Sequence, residues 1–223
     1  MPIVMNKVAD VSFPTYWAEF RLLAFRGQTT TSKGLQPSET VLALVLGDLH
    51  SKPPIIRIHS QCTTGDVFHS LRCDCHDQLH LALEMIAASG SGVVVYEHQE
   101  GRGIGLVEKL RAYELQDQGL DTIEANLQLG HEIDLRDYAL SVEVLRALQI
   151  KSVQLLTNNP EKIAAVLAGG IKIAERISAD VPVSPHSARY VSTKRTRLGH
   201  LFGSGSTIHD DGAHRLRLRN SNL

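Results

Sequence analysis

The stretch Val93-Val-Val-Tyr96, followed through Glu97-His-Gln by Glu100-Gly-Arg-Gly-Ile-Gly105, decides the fold class. A short β-branched run reads as a buried strand. It passes through a glycine-rich turn into Leu106 to Gly119, where Leu106, Leu110 and Tyr113 fall at helical spacing. Strand, turn and helix in succession are the building unit of an α/β protein. Glu100-Gly-Arg-Gly-Ile-Gly105 suits close backbone approach to a nucleotide at a helix N-terminus, which favours anions. Read alone it suits ordinary scaffold equally well, because it is not a Walker A loop.

The same alternation continues downstream. Tyr138 to Leu148 reads as a helix and Val153-Gln-Leu-Leu156 as a strand ending in Thr157-Asn-Asn-Pro160. Glu161 to Leu167 is a helix closed by Gly169-Gly170. Upstream, Leu79, Leu83 and Ile86 have helical spacing with Gly90 as a stop. The first third differs. Asp10 to Gly47 reads as β-structure interrupted by the turn-rich Gly27 to Glu39, with Val41 to Leu46 as a buried strand. Ile55-Ile-Arg-Ile58 follows the break at Pro53-Pro54. The expected fold is α/β, a mixed sheet with flanking helices, as one domain over residues 1–200. Beyond His200, Phe202-Gly-Ser-Gly-Ser-Thr207 is linker-like and Arg215, Arg217 and Arg219 alternate, so 201–223 is expected to be a disordered tail.

Composition narrows the function. The 223 residues carry a formal net charge of -1 and only 5% aromatics, which argues against a nucleic-acid partner. No apolar run approaches the ~20 residues of a membrane span. Met1 to Phe13 has one Lys and no continuous apolar core of a secretory signal, so a cytoplasmic setting is expected. In a reducing compartment three cysteines read as metal ligands or core thiols.

All three, Cys62, Cys73 and Cys75, fall within 14 residues of a polar segment. That clustering favours three thiolates around one tetrahedral zinc over core thiols. A fourth ligand from His59, His69, His76 or His80 would close the site as a structural zinc. A fourth position left to water would make it catalytic, and spacing alone leaves both open.

The residues around this cluster carry a resemblance. Arg57-Ile-His-Ser-Gln-Cys62, Thr64-Gly-Asp66, Leu71-Arg-Cys-Asp-Cys75 with Gln78, and Glu97-His-Gln-Glu-Gly-Arg-Gly-Ile-Gly-Leu106 resemble GTP cyclohydrolase II. So do Lys109-Leu-Arg-Ala-Tyr113, Asp121-Thr122, Glu124-Ala-Asn126, Asp134 with Arg136-Asp137, and Leu155-Leu-Thr-Asn-Asn-Pro160 with Lys162. Thr193-Lys194 to Gly199-His200 closes a resemblance that runs from about Ser12 to His200.

The resemblance implies hydrolysis of GTP to formate, pyrophosphate and a diaminopyrimidinone ribosyl phosphate, the first step of riboflavin biosynthesis, by a cytoplasmic homodimer. By it Cys62, Cys73 and Cys75 hold zinc with one position open, and Mg²⁺ accompanies the triphosphate. Tyr113 assists at the purine end; its plainer reading is a half-buried helix residue. Arg57, His59, Ser60, Gln61, Gln78, Glu100, Gly101, Arg102, Thr122, Thr157 and Lys162 match positions that contact GTP. Lys162, in a helix first turn, would on its own read as a solvated charge. Asp134 matches a proton acceptor and Arg136 a nucleophile on the α-phosphate. A guanidinium of pKa above ~12 fits an electrostatic clamp as well, with Asp134 positioning water or Mg²⁺.

The sequence departs from the family pattern at Gln61, where the family has Glu, at His76, where it has Gly, and at Leu127, where it has His. Two other functions therefore stand beside the leading one. One is a paralogue that releases only pyrophosphate or serves another pathway. The other is a nucleotide-binding protein with a structural zinc. No dihydroxybutanone-phosphate synthase segment accompanies the resemblance, which is to the monofunctional form.

Overall fold

A computed structural model of the protein describes residues 3–31, 34–35 and 38–203. The fold is mixed α/β, as expected. Strands β1 (Ile3–Pro14), β2 (Glu19–Thr31), β4 (Glu39–Leu46), β5 (Ile55–Ser60), β6 (Gly92–Glu97), β7 (Ser152–Leu156) and β8 (Lys172–Ile177) lie in the order β1-β2-β4-β6-β5-β7-β8. The short β3 (Gly34–Leu35) pairs only with β2. Pairing is antiparallel from β1 through β6 and parallel among β6, β5, β7 and β8. The strands before Gly47 thus build the antiparallel half with β6, and the strands from β5 onward build the parallel half.

Helices α1 (Thr63–Asp66), α2 (Cys75–Ser89), α3 (Leu106–Asp117), α4 (Thr122–Gln128), α5 (Ala139–Ala147), α6 (Pro160–Ala168) and α7 (Ala188–Arg197) complete the chain. One core gathers Ile56, Ile58, Val93 and Val95 against Val144 and Leu145 of α5 and Val166 of α6. The other gathers Phe20, Ile55, Val94 and Leu156 against Ala82, Leu83 and Ile86 of α2. Burial of each such aliphatic side chain contributes about 1.5–3 kcal/mol before entropy is counted. No helix among the described residues is long and apolar enough to cross a membrane.

Several boundaries differ from expectation. β-structure begins at Ile3 rather than Asp10, and β2 and β3 run through part of the segment read as a turn-rich loop. Helix α2 starts at Cys75, one turn before its apolar stripe, because its first turn is polar and faces the site. Of the expected tail, Leu201 N–H donates to Asn158 O (2.8 Å) and Gly203 N–H to Asp180 Oδ2 (2.7 Å). The remainder of that expectation lies outside the described residues.

Candidate active site

The parallel half of the sheet positions the site. β5 ends at Ser60 and hands on to Gln61 and Cys62; β6 ends at Glu97 and leads to a 3₁₀ turn, Glu100–Gly103; β7 ends at Leu156 and leads to Thr157 through Lys162. Ligand crevices in α/β sheets form at the carboxyl ends of strands, where successive loops diverge. Here they form two adjoining chambers that share Ser60, Cys75, Arg102, Arg136 and Tyr190.

The first chamber holds the thiols. The sulfurs of Cys62, Cys73 and Cys75 lie within 4.8 Å of one another, the only such metal-capable group among the described residues. Hydrogen bonds from the Cys73 and Cys75 thiols, with the Lys109 ammonium 3.1 Å away, hold Cys62 well below the ordinary thiol range. The same contacts push Cys73 up to about 11 and Cys75 well above its usual value. Gly65 closes over them: a Cβ there would sit 3.0 Å from Cys73 Sγ and 3.1 Å from Cys62 Sγ. Three converging soft donors under a side-chain-free backbone fit a zinc-sized cation, which would let all three ionise.

Lys109 ties this chamber together, donating also to Thr64 Oγ1 (2.8 Å) and Glu100 Oε1 (2.7 Å). Burial pulls its pKa down, but the Cys62 thiolate and Glu100 outweigh that and hold it above the usual lysine range. Tyr113, one helical turn from Lys109, places its hydroxyl 3.5 Å from Thr64 Oγ1, and burial raises its pKa. The second carboxylate oxygen of Glu100 accepts from Thr63 N–H (2.6 Å). Gln61 bridges His98 Nδ1 (2.8 Å) and Thr63 Oγ1 (3.0 Å) at the rim.

None of the candidate histidines joins the sulfurs. His59 is 2% exposed and its Nε2 engages Asp66 (3.1 Å). Asp66 also accepts from Tyr96 Oη and from Cys62 N–H. Burial lowers the pKa of His59. His69, His76 and His80 stack on each other, with ring centroids 3.9 and 4.0 Å apart. A closed Cys₃His site therefore finds no fourth ligand among the described residues.

The second chamber is cationic. Arg57 is 5% exposed and donates to Gln78 Oε1 (2.7 Å) and Leu156 O (3.2 Å), while its Nε has no partner. Lys162, read from sequence as a solvated charge, is 5% exposed and donates to Ile58 O (2.9 Å). Burial and the neighbouring Arg57 and Arg136 drive its pKa well down. Arg102 is buried with both terminal nitrogens unpartnered, at the junction of the chambers. It has φ of 62°, a strained backbone state for a non-glycine residue that costs about 1–3 kcal/mol and clusters at functional positions. Gly103 allows the turn, since a Cβ there would meet Leu135 at 2.9 Å. Buried, unsatisfied guanidinium N–H groups are costly unless an anion completes them.

Arg136 reaches the same junction and is fixed from behind by Asp134, through Nε to Oδ1 (2.9 Å) and Nη2 to Oδ2. Burial works against its charge, but Asp134 outweighs it and raises the guanidinium pKa above its already high value. All the residues expected from sequence line one chamber or the other, except Asp134, which acts on the site only through Arg136. Lys109, Asn158, Tyr190, Lys194 and His200 line the chambers too; all but Tyr190 lie in stretches that carry the resemblance, but none was given a site role there. Lys109 carried a usable signal, sitting four residues before Tyr113 on one helix face. Tyr190 carried none.

Fold and site together define a mixed α/β protein in which buried cations line a crevice beside a cluster of three thiols. A profile of the GTP cyclohydrolase II family matches residues 6–178. The chain is 48% identical to GTP cyclohydrolase-2 of Aeromonas hydrophila, over 87% of this chain and 96% of that protein. To GTP cyclohydrolase-2 of Klebsiella pneumoniae it is 44% identical, over 91% and 98%. It is also 48% identical to riboflavin biosynthesis protein RibBA of Cytophaga hutchinsonii, over 89% of this chain and 48% of that protein. The chain thus spans about half the length of that longer relative. It belongs to the GTP cyclohydrolase II family.

Proposed function

We propose that the protein hydrolyses GTP, opening the imidazole ring of guanine and releasing formate and pyrophosphate, as the entry reaction of riboflavin biosynthesis. The observation that carries this reading is the junction itself: one cavity places three convergent thiols beside the unpartnered guanidinium of Arg102. Only a substrate with a reactive carbon at one end and a phosphate chain at the other would use both.

Cys62, Cys73 and Cys75 would hold zinc, which lowers the pKa of water from 15.7 to about 7 and so supplies hydroxide at neutral pH. Tyr113, a phenol that is protonated at neutral pH and that burial pushes further that way, donates a hydrogen bond at the purine end. Lys109 and Glu100 hold Thr63 and Thr64 in place around it. Arg57, Arg102 and Lys162 meet the phosphates, with Mg²⁺ bound to the triphosphate, and Arg136 clamps the phosphate that departs. His59, through Asp66, fixes the backbone of Cys62. Pairing of two copies in a cytoplasmic setting belongs to the same reading. The exposed Val4, Val8, Val11 and Phe13 on edge strand β1 are the apolar surface that a second copy would cover.

Gly65→Ala is expected to weaken zinc binding about 10–100-fold, the range for a residue that supports ligands without being one. Competition with a chromogenic chelator measures it, with the far-ultraviolet circular dichroism unchanged.

The function itself is tested by incubating zinc-loaded protein with GTP and Mg²⁺ and quantifying formate and pyrophosphate together. Equal release is expected. Pyrophosphate without formate would replace this reading with the paralogue, and Gln61 would be the first residue to restore to Glu. Neither product, with GTP still bound, would replace it with a binding protein.

A further inference from the structure

Helix α7 lies beyond the residues that match the family profile, yet it forms part of both chambers. It is strapped across the site at three places. Arg189 donates to Gly119 O (2.6 Å) and Arg197 pairs with Asp121, on the loop leading into α4. Lys194 Nζ donates to Asp74 Oδ1 (2.6 Å), between the two cysteines that open α2. After the helix, Leu201 N–H bonds to Asn158 O, beside the cationic chamber.

Two side chains of α7 face inward. The Tyr190 ring packs against both Arg102, 5.8 Å from its centroid, and the Lys194 ammonium, 4.5 Å from it. The Lys194 side chain is 11% exposed, and its partner Asp74 is 2% exposed. Asp74 occupies the N-cap position of α2 but makes no cap bond. Its carboxylate accepts instead from Lys194 and from Gln78 Nε2 (2.8 Å), whose Oε1 holds Arg57. Lys194 is therefore the outer end of a chain Lys194–Asp74–Gln78–Arg57 that organises the cationic chamber. An ammonium has three donors, and the Asp74 bond uses one of them.

We propose that α7 is a wall of the nucleotide site, with Tyr190 packing Arg102 at the junction and Lys194 reading the outer phosphates of a triphosphate. The placement follows from the chambers, and it rests on the functional reading above. With the purine at the thiols, the phosphate chain passes Arg102, Arg136 and Tyr190 at the junction. Lys194 lines only the chamber beyond, with Thr157, Lys162 and His200, so it faces the distal phosphates and not the first.

The test is calorimetric binding of the α,β-methylene analogue of GTP and of GMP to the zinc-loaded protein. Lys194→Met is expected to weaken the triphosphate about tenfold, the size of one charge-assisted hydrogen bond, and GMP less than about twofold. Lys194→Arg is expected to stay within about threefold of wild type for both ligands. A purely structural strap would weaken both ligands together, and a solvated lysine would weaken neither; either result overturns the proposal. Binding is read directly, so the split between the two ligands is scored separately from formate release. A wild-type protein that releases no formate but shows this split loses the functional reading and keeps α7. One that releases formate without the split does the reverse.

Discussion

On the function proposed above, Cys73→Ser is expected to lower formate release by at least about a thousandfold, because the thiols that would hold zinc no longer number three and neutral water is a far poorer nucleophile than the hydroxide zinc would supply. The substitution is nearly isosteric and removes one of three sulfurs that lie within 4.8 Å of one another. A hydroxyl is a poor ligand for zinc at neutral pH, and two thiolates do not retain the ion. Elemental analysis should therefore find close to one zinc per chain in wild type and almost none in the variant. Phosphate recognition should survive. Arg57, Lys162 and Lys194 line the second chamber, and none of them touches Cys73. Calorimetric affinity for the methylene analogue of GTP is thus expected within a few-fold of wild type. Unchanged formate release from zinc-free variant would remove the thiols from the chemistry altogether.

This separation of chambers also explains what could be read in the sequence. The four central strands, β4 to β7, are covered on both faces, so they appear as apolar runs, unbroken in Val41 to Leu46 and Val93 to Tyr96 and interrupted once by Arg57 in Ile55 to Ile58 and by Gln154 in Val153 to Leu156. Strand β8 is an edge strand, exposed along most of its length, and Lys172-Ile-Ala-Glu-Arg-Ile177 has no such run. Helix α4 is only seven residues long, and what defines it is the capping box of Asp121 with Glu124 rather than an apolar stripe. Helix α7 buries only Val191 and Thr193, so its sequence is polar throughout and periodicity is silent on it.

The site was legible for the same reason the central strands were. Cys62, Glu100 to Arg102 and Thr157 to Lys162 each follow directly on a readable strand, so local motifs and chamber walls coincide. Lys194 lies 120 residues from its partner Asp74 and is marked in the sequence only by the resemblance at Thr193-Lys194, while nothing marks Tyr190. Lys162 shows the opposite limit. Its place in the first turn of a helix suggested a solvated charge, and only the tertiary fold, which brings its ammonium onto Ile58 O of β5, buries it.

Arg136→Lys is expected to slow pyrophosphate release by about 10²–10³, nearly as much as Arg136→Ala, with no guanylyl group attached to the chain in any variant. A nucleophilic guanidine would first have to lose its proton. From a reference pKa of about 12.5 that costs roughly 7 kcal/mol at pH 7 before any bond forms. Asp134 makes the cost larger, since its paired bonds to Nε and Nη2 stabilise the cation and raise the pKa further. They also occupy two of its three nitrogens. What the pair does well is hold a planar, doubly donating positive charge at the junction of the chambers. There the negative charge that builds on the departing phosphate can meet it without reorganisation. A lysine keeps the charge but cannot form both bonds to Asp134, so it is not held there. Asp134→Asn leaves the guanidinium in place with a weaker anchor and is expected to cost less, about tenfold. Wild-type protein denatured during turnover at neutral pH, where a phosphorus–nitrogen bond survives, and weighed intact decides the matter. A mass increase equal to a guanylyl group, mapped to the peptide containing Arg136, would make Arg136 the nucleophile; an unmodified chain at full turnover leaves it the clamp.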